Sequence, residues 1–184
     1  MSETISKESL SKLNDLLSNT DLSKVTSEGA GFEDLKEGYY RCEVKKAELT
    51  TSKSSGSPMV ALQLAVVDEC GYYINDEDEL VETNKVKGRR VFKYYVFSDA
   101  NSVTRFVSDM LKFEGENPNE PLLPKEAWMS AETLEDSIAV LQELGPNIWI
   151  FNQKAKTKDP QTGNDNYFTN LISWNRASKL GLPE

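Results

Sequence analysis

Five stretches of the chain alternate apolar with polar residues, and helical spacing intervenes only between the third and the fourth. On a strand, successive side chains point to opposite faces, so each stretch reads as a half-buried strand. Residues 38–49 put Tyr40, Cys42 and Val44 on one face and Tyr39, Arg41, Glu43 and Lys45 on the other. Residues 59–67 set Val60, Leu62, Leu64 and Val66 against Met59, Ala61, Gln63 and Ala65, an unusually small and weakly polar opposite face. Residues 87–97 carry Phe92, Tyr94 and Val96 on one side and Lys93, Tyr95 and Phe97 on the other. The last two stretches, 147–158 and 165–174, flank Asp159-Pro160-Gln161-Thr162-Gly163-Asn164. Pro presets one turn angle, and Gly163 and Asn164 tolerate positive φ, so the pair is predicted to be a hairpin.

Between strands three and four, residues 99–145 have helical period. Asp99 or Asn101 can cap a helix that presents Val103, Phe106, Val107, Met110 and Leu111, with Gly115 at its end. Thr133-Leu134-Glu135-Asp136 resembles a capping box, Leu134, Ile138, Leu141 and Leu144 follow as a stripe, and Gly145-Pro146 stops the helix. Near the start, Leu10, Leu13, Leu16 and Leu17 predict a short amphipathic helix over 6–18, followed by a linker at 23–31. Three segments result: residues 1–31 as helix and linker, 32–176 as the main domain, and 177–184 as a short tail. No βα alternation points to a parallel sheet. Three strands, a two-helix insert and two strands are the plan of a mainly β chain, a five-stranded Greek-key barrel of the OB-fold kind.

Composition removes several chemistries. The chain has no histidine, which takes away the commonest general base and metal ligand. Cys42 and Cys70 form no CxxC, and no GxxxxGK[ST], HExxH or GxSxG occurs. Asp76 and Asp78 lack the glycine and distal glutamate of a calcium loop, and Gly29-Ala30-Gly31 lacks the third glycine of a dinucleotide fingerprint. Neither an enzyme, nor a metal, nor a cofactor is expected. No apolar run approaches a membrane span and no signal segment opens the chain. The expected setting is cytoplasmic, the host cytoplasm if the chain is phage-encoded.

The net charge is −9, so the placement of the charges matters. Acids crowd residues 68–82 and 114–136, while bases crowd 85–93 and 154–158. Acidic loops with basic strands are compatible with a local positive groove. Flat rings that stack on bases and cations that follow phosphates suit a single-stranded polynucleotide. In an OB-fold that groove lies on strands two and three and on the loops joining strands one to two and four to five. The expected cations are Arg41, Lys45, Lys53, Arg89, Arg90, Lys93, Lys154, Lys156 and Lys158; the expected stackers are Tyr95, Phe97, Trp149 and Tyr167.

Phe32-Glu33-Asp34-Leu35-Lys36-Glu37-Gly38-Tyr39-Tyr40, leading into Thr51-Ser52-Lys53-Ser54-Ser55-Gly56-Ser57-Pro58-Met59, together with the late aromatic hairpin, resembles phage-encoded single-stranded-DNA-binding proteins. The similarity spans roughly Phe32 to Trp174 without the helical insert. It implies an OB-fold that coats single-stranded DNA cooperatively with little sequence preference, in DNA replication or recombination, alongside replication or recombination proteins. A homo-oligomer is compatible with it. Many such proteins recruit partners through an acidic tail, which Ser178-Lys179-Leu180-Gly181-Leu182-Pro183-Glu184 is not. A different class stays open: a non-enzymatic phage β-barrel that binds protein, as an assembly factor or host inhibitor, through the side bearing Met59, Ala61 and Ala65.

Overall fold

The computed structural model describes residues 6–19, 35–117 and 119–184. The chain divides into two units, the first ending at Asp34 and the second beginning at Leu35. In the first, α1 (Lys7–Asn19) forms where the leucine spacing predicts it, and Leu10, Leu13, Leu16 and Leu17 are all exposed. The linker expected at 23–31, and the first three residues of the motif beginning at Phe32, lie outside the described residues.

The second unit is one antiparallel sheet with helices. Its strands are β1 (Gly38–Thr51), β2 (Pro58–Val66), β3 (Cys70–Ile74), β4 (Leu80–Lys85), β5 (Arg90–Val96), β6 (Asn147–Lys158) and β7 (Asp165–Ile172). They run β4-β3-β1-β2-β5 in space, with β6 on the other edge of β1 and β7 outside β6. Seven strands are present among the described residues where the alternation predicts five. The extra two form a hairpin inside the acidic connection, with Tyr72 opposite Glu82 and Ile74 opposite Leu80. Its turn is organised by one side chain: Asn75 Oδ1 accepts from the backbone N–H of Glu77 at 3.0 Å and of Glu79 at 2.8 Å. A local side-chain turn of this kind brings two short strands together despite the carboxylates around them.

β1 is long enough to pair with three strands, β2, β3 and β6, and it carries a bulge. Val44 faces Leu64 but Lys46 faces Gln63, so Lys45 is the extra residue. The bulge exchanges the faces, and Ala47 takes the buried position that strict alternation would give to Lys46. The inner face holds Tyr40, Cys42, Val44, Val60, Leu62, Leu64, Ile148, Ile150 and Leu171 in one buried cluster. Helix α2 (Ala100–Met110) adds Phe106, Val107 and Met110, and helix α3 (Ala131–Leu144) adds Ile138 and Leu141. Each such side chain contributes about 1.5–3 kcal/mol by leaving water.

The helix ends follow local chemistry. Asp99 caps α2 in a reciprocal box with Ser102. The helix ends at Met110, one turn before Gly115. α3 begins earlier than the Thr133 motif suggests, because Ser130 accepts from the backbone of Glu132 and supplies the cap first. Gly145 closes α3 at φ 51°, a left-handed conformation that a side chain disfavours. After β7, Ser173 caps a further helix, α4 (Trp174–Lys179), where the sequence suggests only a tail. With Leu182 it covers part of the sheet's outer face, forming a second buried cluster with Tyr39, Trp149 and Ile172.

Between β5 and β7 no ladder forms. The sheet is therefore open there, and side chains span the seam. Lys93 donates to the Thr169 carbonyl at 2.6 Å, and Lys112, just after α2, donates to the Leu171 carbonyl at 2.8 Å.

Candidate nucleic-acid interface

Beyond α4, the outer face of the second unit's sheet presents exposed side chains. The registers place three cross-strand rows on it: Lys46–Gln63–Phe92, Glu48–Ala61–Tyr94 and Thr50–Met59–Val96. The residues between them point inward, with Leu62 opposite Lys93 and Val60 opposite Tyr95. Phe92 is 53% exposed and Tyr94 58% exposed, side by side on β5. Ala61, beside Tyr94, leaves room, and a hollow of about 140 Å³ opens among Lys46, Glu48, Ala61, Gln63, Phe92 and Tyr94. Arg90, opposite Ala65, continues the same face and is exposed with no ion-pair partner among the described residues. Lys53 is exposed in the turn between β1 and β2.

The stackers expected from sequence fall elsewhere. Trp149 is fully buried in the second cluster, tilted against Tyr72 with ring centroids 6.1 Å apart. Tyr95 is buried, its ring edge-on to Phe106 and its hydroxyl donating to Asp109 Oδ2 at 2.7 Å. Burial, then the neighbouring Asp109 carboxylate, pushes that phenol well above its ordinary value. Phe97 is half-buried and also packs edge-on against Phe106. Neither Trp149 nor Tyr95 can present a ring face to a base without leaving the core. Tyr167 is half-buried in a different cleft, with Lys154, Asp165 and Tyr73.

Several expected cations are already neutralised. Arg41 pairs with Asp68, Lys45 with Glu43 and Lys154 with Asp165. The Asp165 hydrogen bond raises the Lys154 ammonium above its ordinary value. Lys93 lies on the inner face, its ammonium 3.9 Å from Asp109 and 5.2 Å from the centre of the Tyr95 ring. Burial lowers its pKa, with Asp109 acting the other way. Arg89 is half-buried in the turn before β5. Lys156 and Lys158 are exposed near the β6–β7 turn, but the register shifts between Lys154 and Lys158, so the shared face expected for the three lysines does not follow from alternation.

Residues 18–103 match the family profile described as a protein of unknown function (DUF669). That span takes in all of β1, β2 and β5, hence the whole Phe92–Tyr94 face, and stops within α2 before the β6–β7 hairpin. No curated protein matched the chain.

Phe92 and Tyr94 carry the face, although the alternation sets them opposite the residues expected to bind. Lys93 is what misleads. A charged residue ordinarily marks the solvent side of a strand, and here its long stem lies inside while its ammonium reaches the seam. The small face of β2 was the usable signal, since Ala61 and Gln63 oppose Tyr94 and Phe92. Among the described residues, no cluster of His, Cys, Asp and Glu could hold a metal ion, and no helix is long and apolar enough to cross a membrane.

Proposed function

We propose that this chain binds single-stranded DNA, with little base preference, across the outer face of β1, β2 and β5. The observation that carries this reading is the adjacent pair of half-exposed rings, Phe92 and Tyr94, on a face where β2 presents Met59, Ala61 and Gln63 and β1 presents Thr50 and the Lys46–Glu48 pair. Rings held open on a rigid strand are platforms for bases, because every base has a π-face. Strand order supports it. With the β3–β4 hairpin set aside, β6-β1-β2-β5 is the Greek-key arrangement of a fourth strand beside the first, and β7 follows as a fifth. An OB-fold is a partly open barrel of that kind, and it binds on its second and third strands, here β2 and β5. The loops that would flank the groove are 52–57, carrying Lys53, and 159–164. Coating of single strands during phage replication or recombination is the role that the resemblance in sequence suggests.

The same face favours one competing reading. Met59 and Val96 extend the apolar strip, and a net charge of −9 repels a polynucleotide at long range, so a protein partner would also fit. Fluorescence anisotropy of labelled oligo-dT separates the two. Binding that weakens with salt, and competes better with single strands than with duplex, supports the polynucleotide. No anisotropy change at low salt refutes it. Tryptophan quenching is a poor readout, since Trp128 and Trp149 are buried and Trp174 belongs to the second cluster.

A further inference from the structure

A cleft of about 670 Å³ runs along the free edge of β5, walled by α2 and closed at its far side by Asn170 of β7. Tyr94 belongs to both this cleft and the aromatic face. Three cations line it, Lys93, Arg105 and Lys112, against one carboxylate, Asp109. That carboxylate is fully engaged: Lys112 reaches Oδ1 at 2.6 Å, the Tyr95 hydroxyl reaches Oδ2 at 2.7 Å, and Lys93 stands 3.9 Å away. Arg105 is exposed and has no ion-pair partner among the described residues. The result is a positively charged cleft on an acidic protein. Two other clefts differ. The one at Tyr167 has Lys36 and Lys154 outnumbered by Glu37, Glu82 and Asp165, and the one beneath α4 holds Glu114 and Glu184 with no cation.

On the opposite border of the aromatic face, β1 presents a cation that is already neutralised. There Lys46 is paired with Glu48 at 2.8 Å. A strand stacked on Phe92 and Tyr94 must put its phosphates toward one border or the other. Resting on the single-strand reading above, we infer that the sugar–phosphate backbone passes on the α2 side, with Arg105 holding a phosphodiester in this cleft and the bases pointing across β5 toward Gln63 and Ala61. Arg105 is the contacting residue. Lys93 and Lys112 are committed to the Thr169 and Leu171 carbonyls and to Asp109, and they set the local field behind it.

The test is oligo-dT anisotropy on the full chain over a range of salt concentrations, with Arg105→Ala, Arg105→Lys and Lys125→Ala. Each phosphate neutralised on a single strand contributes about 0.7 to the slope of log K against log salt. Arg105→Ala is expected to lower the slope by about that amount and to weaken binding about tenfold at low salt. Arg105→Lys is expected to retain the slope, and Lys125→Ala, on the 3-10 turn Lys125–Trp128, to behave as the unaltered protein. An unchanged slope in Arg105→Ala overturns the inference. If that happens while Phe92→Ala and Tyr94→Ala still weaken binding, only the path of the backbone is wrong. If the unaltered chain fails to bind at all, the single-strand reading falls and takes this one with it.

Discussion

Replacing Phe92 or Tyr94 by alanine tests the proposed interface directly, because rings this exposed contribute only modestly to folding. Both rings are more than half exposed, at 53% and 58%, so the free protein gains from them only part of the roughly 1.5–3 kcal/mol that full burial of such a side chain provides. Loss of a β-favouring residue adds up to about 1 kcal/mol. Each single variant should therefore lose about 1–2 kcal/mol of stability, a fall of roughly 2–8 °C in Tm for a chain of this size. Base stacking is worth about 1–3 kcal/mol per ring, so each variant should raise Kd for oligo-dT about 5- to 150-fold. The two rings are neighbours on one strand, so the double variant is not expected to follow the sum. Trp149→Leu is the crossed control. It empties part of a fully buried cluster and should cost about 3 kcal/mol or more of stability, with Kd unchanged in whatever fraction stays folded. The assays are a thermal melt and labelled oligo-dT anisotropy on the same preparations. Folded Phe92→Ala and Tyr94→Ala proteins that bind like the unaltered chain would refute the assignment of the face.

Two further outcomes concern the core. Burial pushes the Cys42 thiol from 9.0 up to about 12 and the Tyr40 phenol from 10.0 up to about 12. A raised folded value favours the protonated form, so this stability is present below the unfolded values and lost as pH climbs from about 9 toward 12. Urea unfolding should thus give a lower free energy at pH 10.5 than at pH 8, and equal values at the two would contradict the burial of these groups. Gly71→Ala should also destabilise the fold. A Cβ there would stand 2.2 Å from the Tyr40 ring and 2.9 Å from the Tyr39 carbonyl, a clash that overpacking places at about 1–3 kcal/mol or more. A melting temperature equal to that of the unaltered chain would show that Gly71 is not so closely packed.

The late hairpin was legible because its signals agree. Strands at 147–158 and 165–172 alternate, and Gly163 adopts φ 71° in the turn between them. The β1–β2 pair was legible for the same reason, through Val60, Leu62 and Leu64. What periodicity could not give was which side of a two-sided strand meets the core. β5 carries aromatic residues on both faces, and the answer depends on Lys93 finding a carbonyl on β7, seventy-odd residues away in sequence. Trp149 shows the same limit. Its face of β6 looks amphipathic until α4 and Leu182 fold over it, and residues past 173 carry too short an apolar pattern to announce a helix. Of the β3–β4 hairpin the sequence marks only a short β-turn excursion at Gly71-Tyr72-Tyr73-Ile74, since carboxylates dominate residues 68–82 and the strands that thread them are five and six residues long.

Charge pairing along the strands decides what kind of binder this fold can be. Arg41, Lys45, Lys46, Lys87 and Lys154 each stand against a carboxylate of their own surroundings. An ion pair of this sort leaves little field for a phosphate, and displacing the carboxylate would forfeit what the pair contributes. Exposed pairs are worth only about 0–1 kcal/mol, so what limits a phosphate is less the loss of the pair than the carboxylate that stays beside the cation and offsets its field. Among the described residues, Arg90 and Lys53 near the aromatic face, and Arg105 at its α2 border, have no ion-pair partner. If the chain binds as proposed, with so few available charges counterion release should supply only a minor part of the affinity, and the rings most of the rest. A chain of net charge −9 can then hold a single strand, which exposes its bases, while rejecting a duplex, which offers phosphates and keeps its bases stacked on one another. On the proposed reading, a preference for single strands is expected from the poverty of free cations together with the openness of Phe92 and Tyr94.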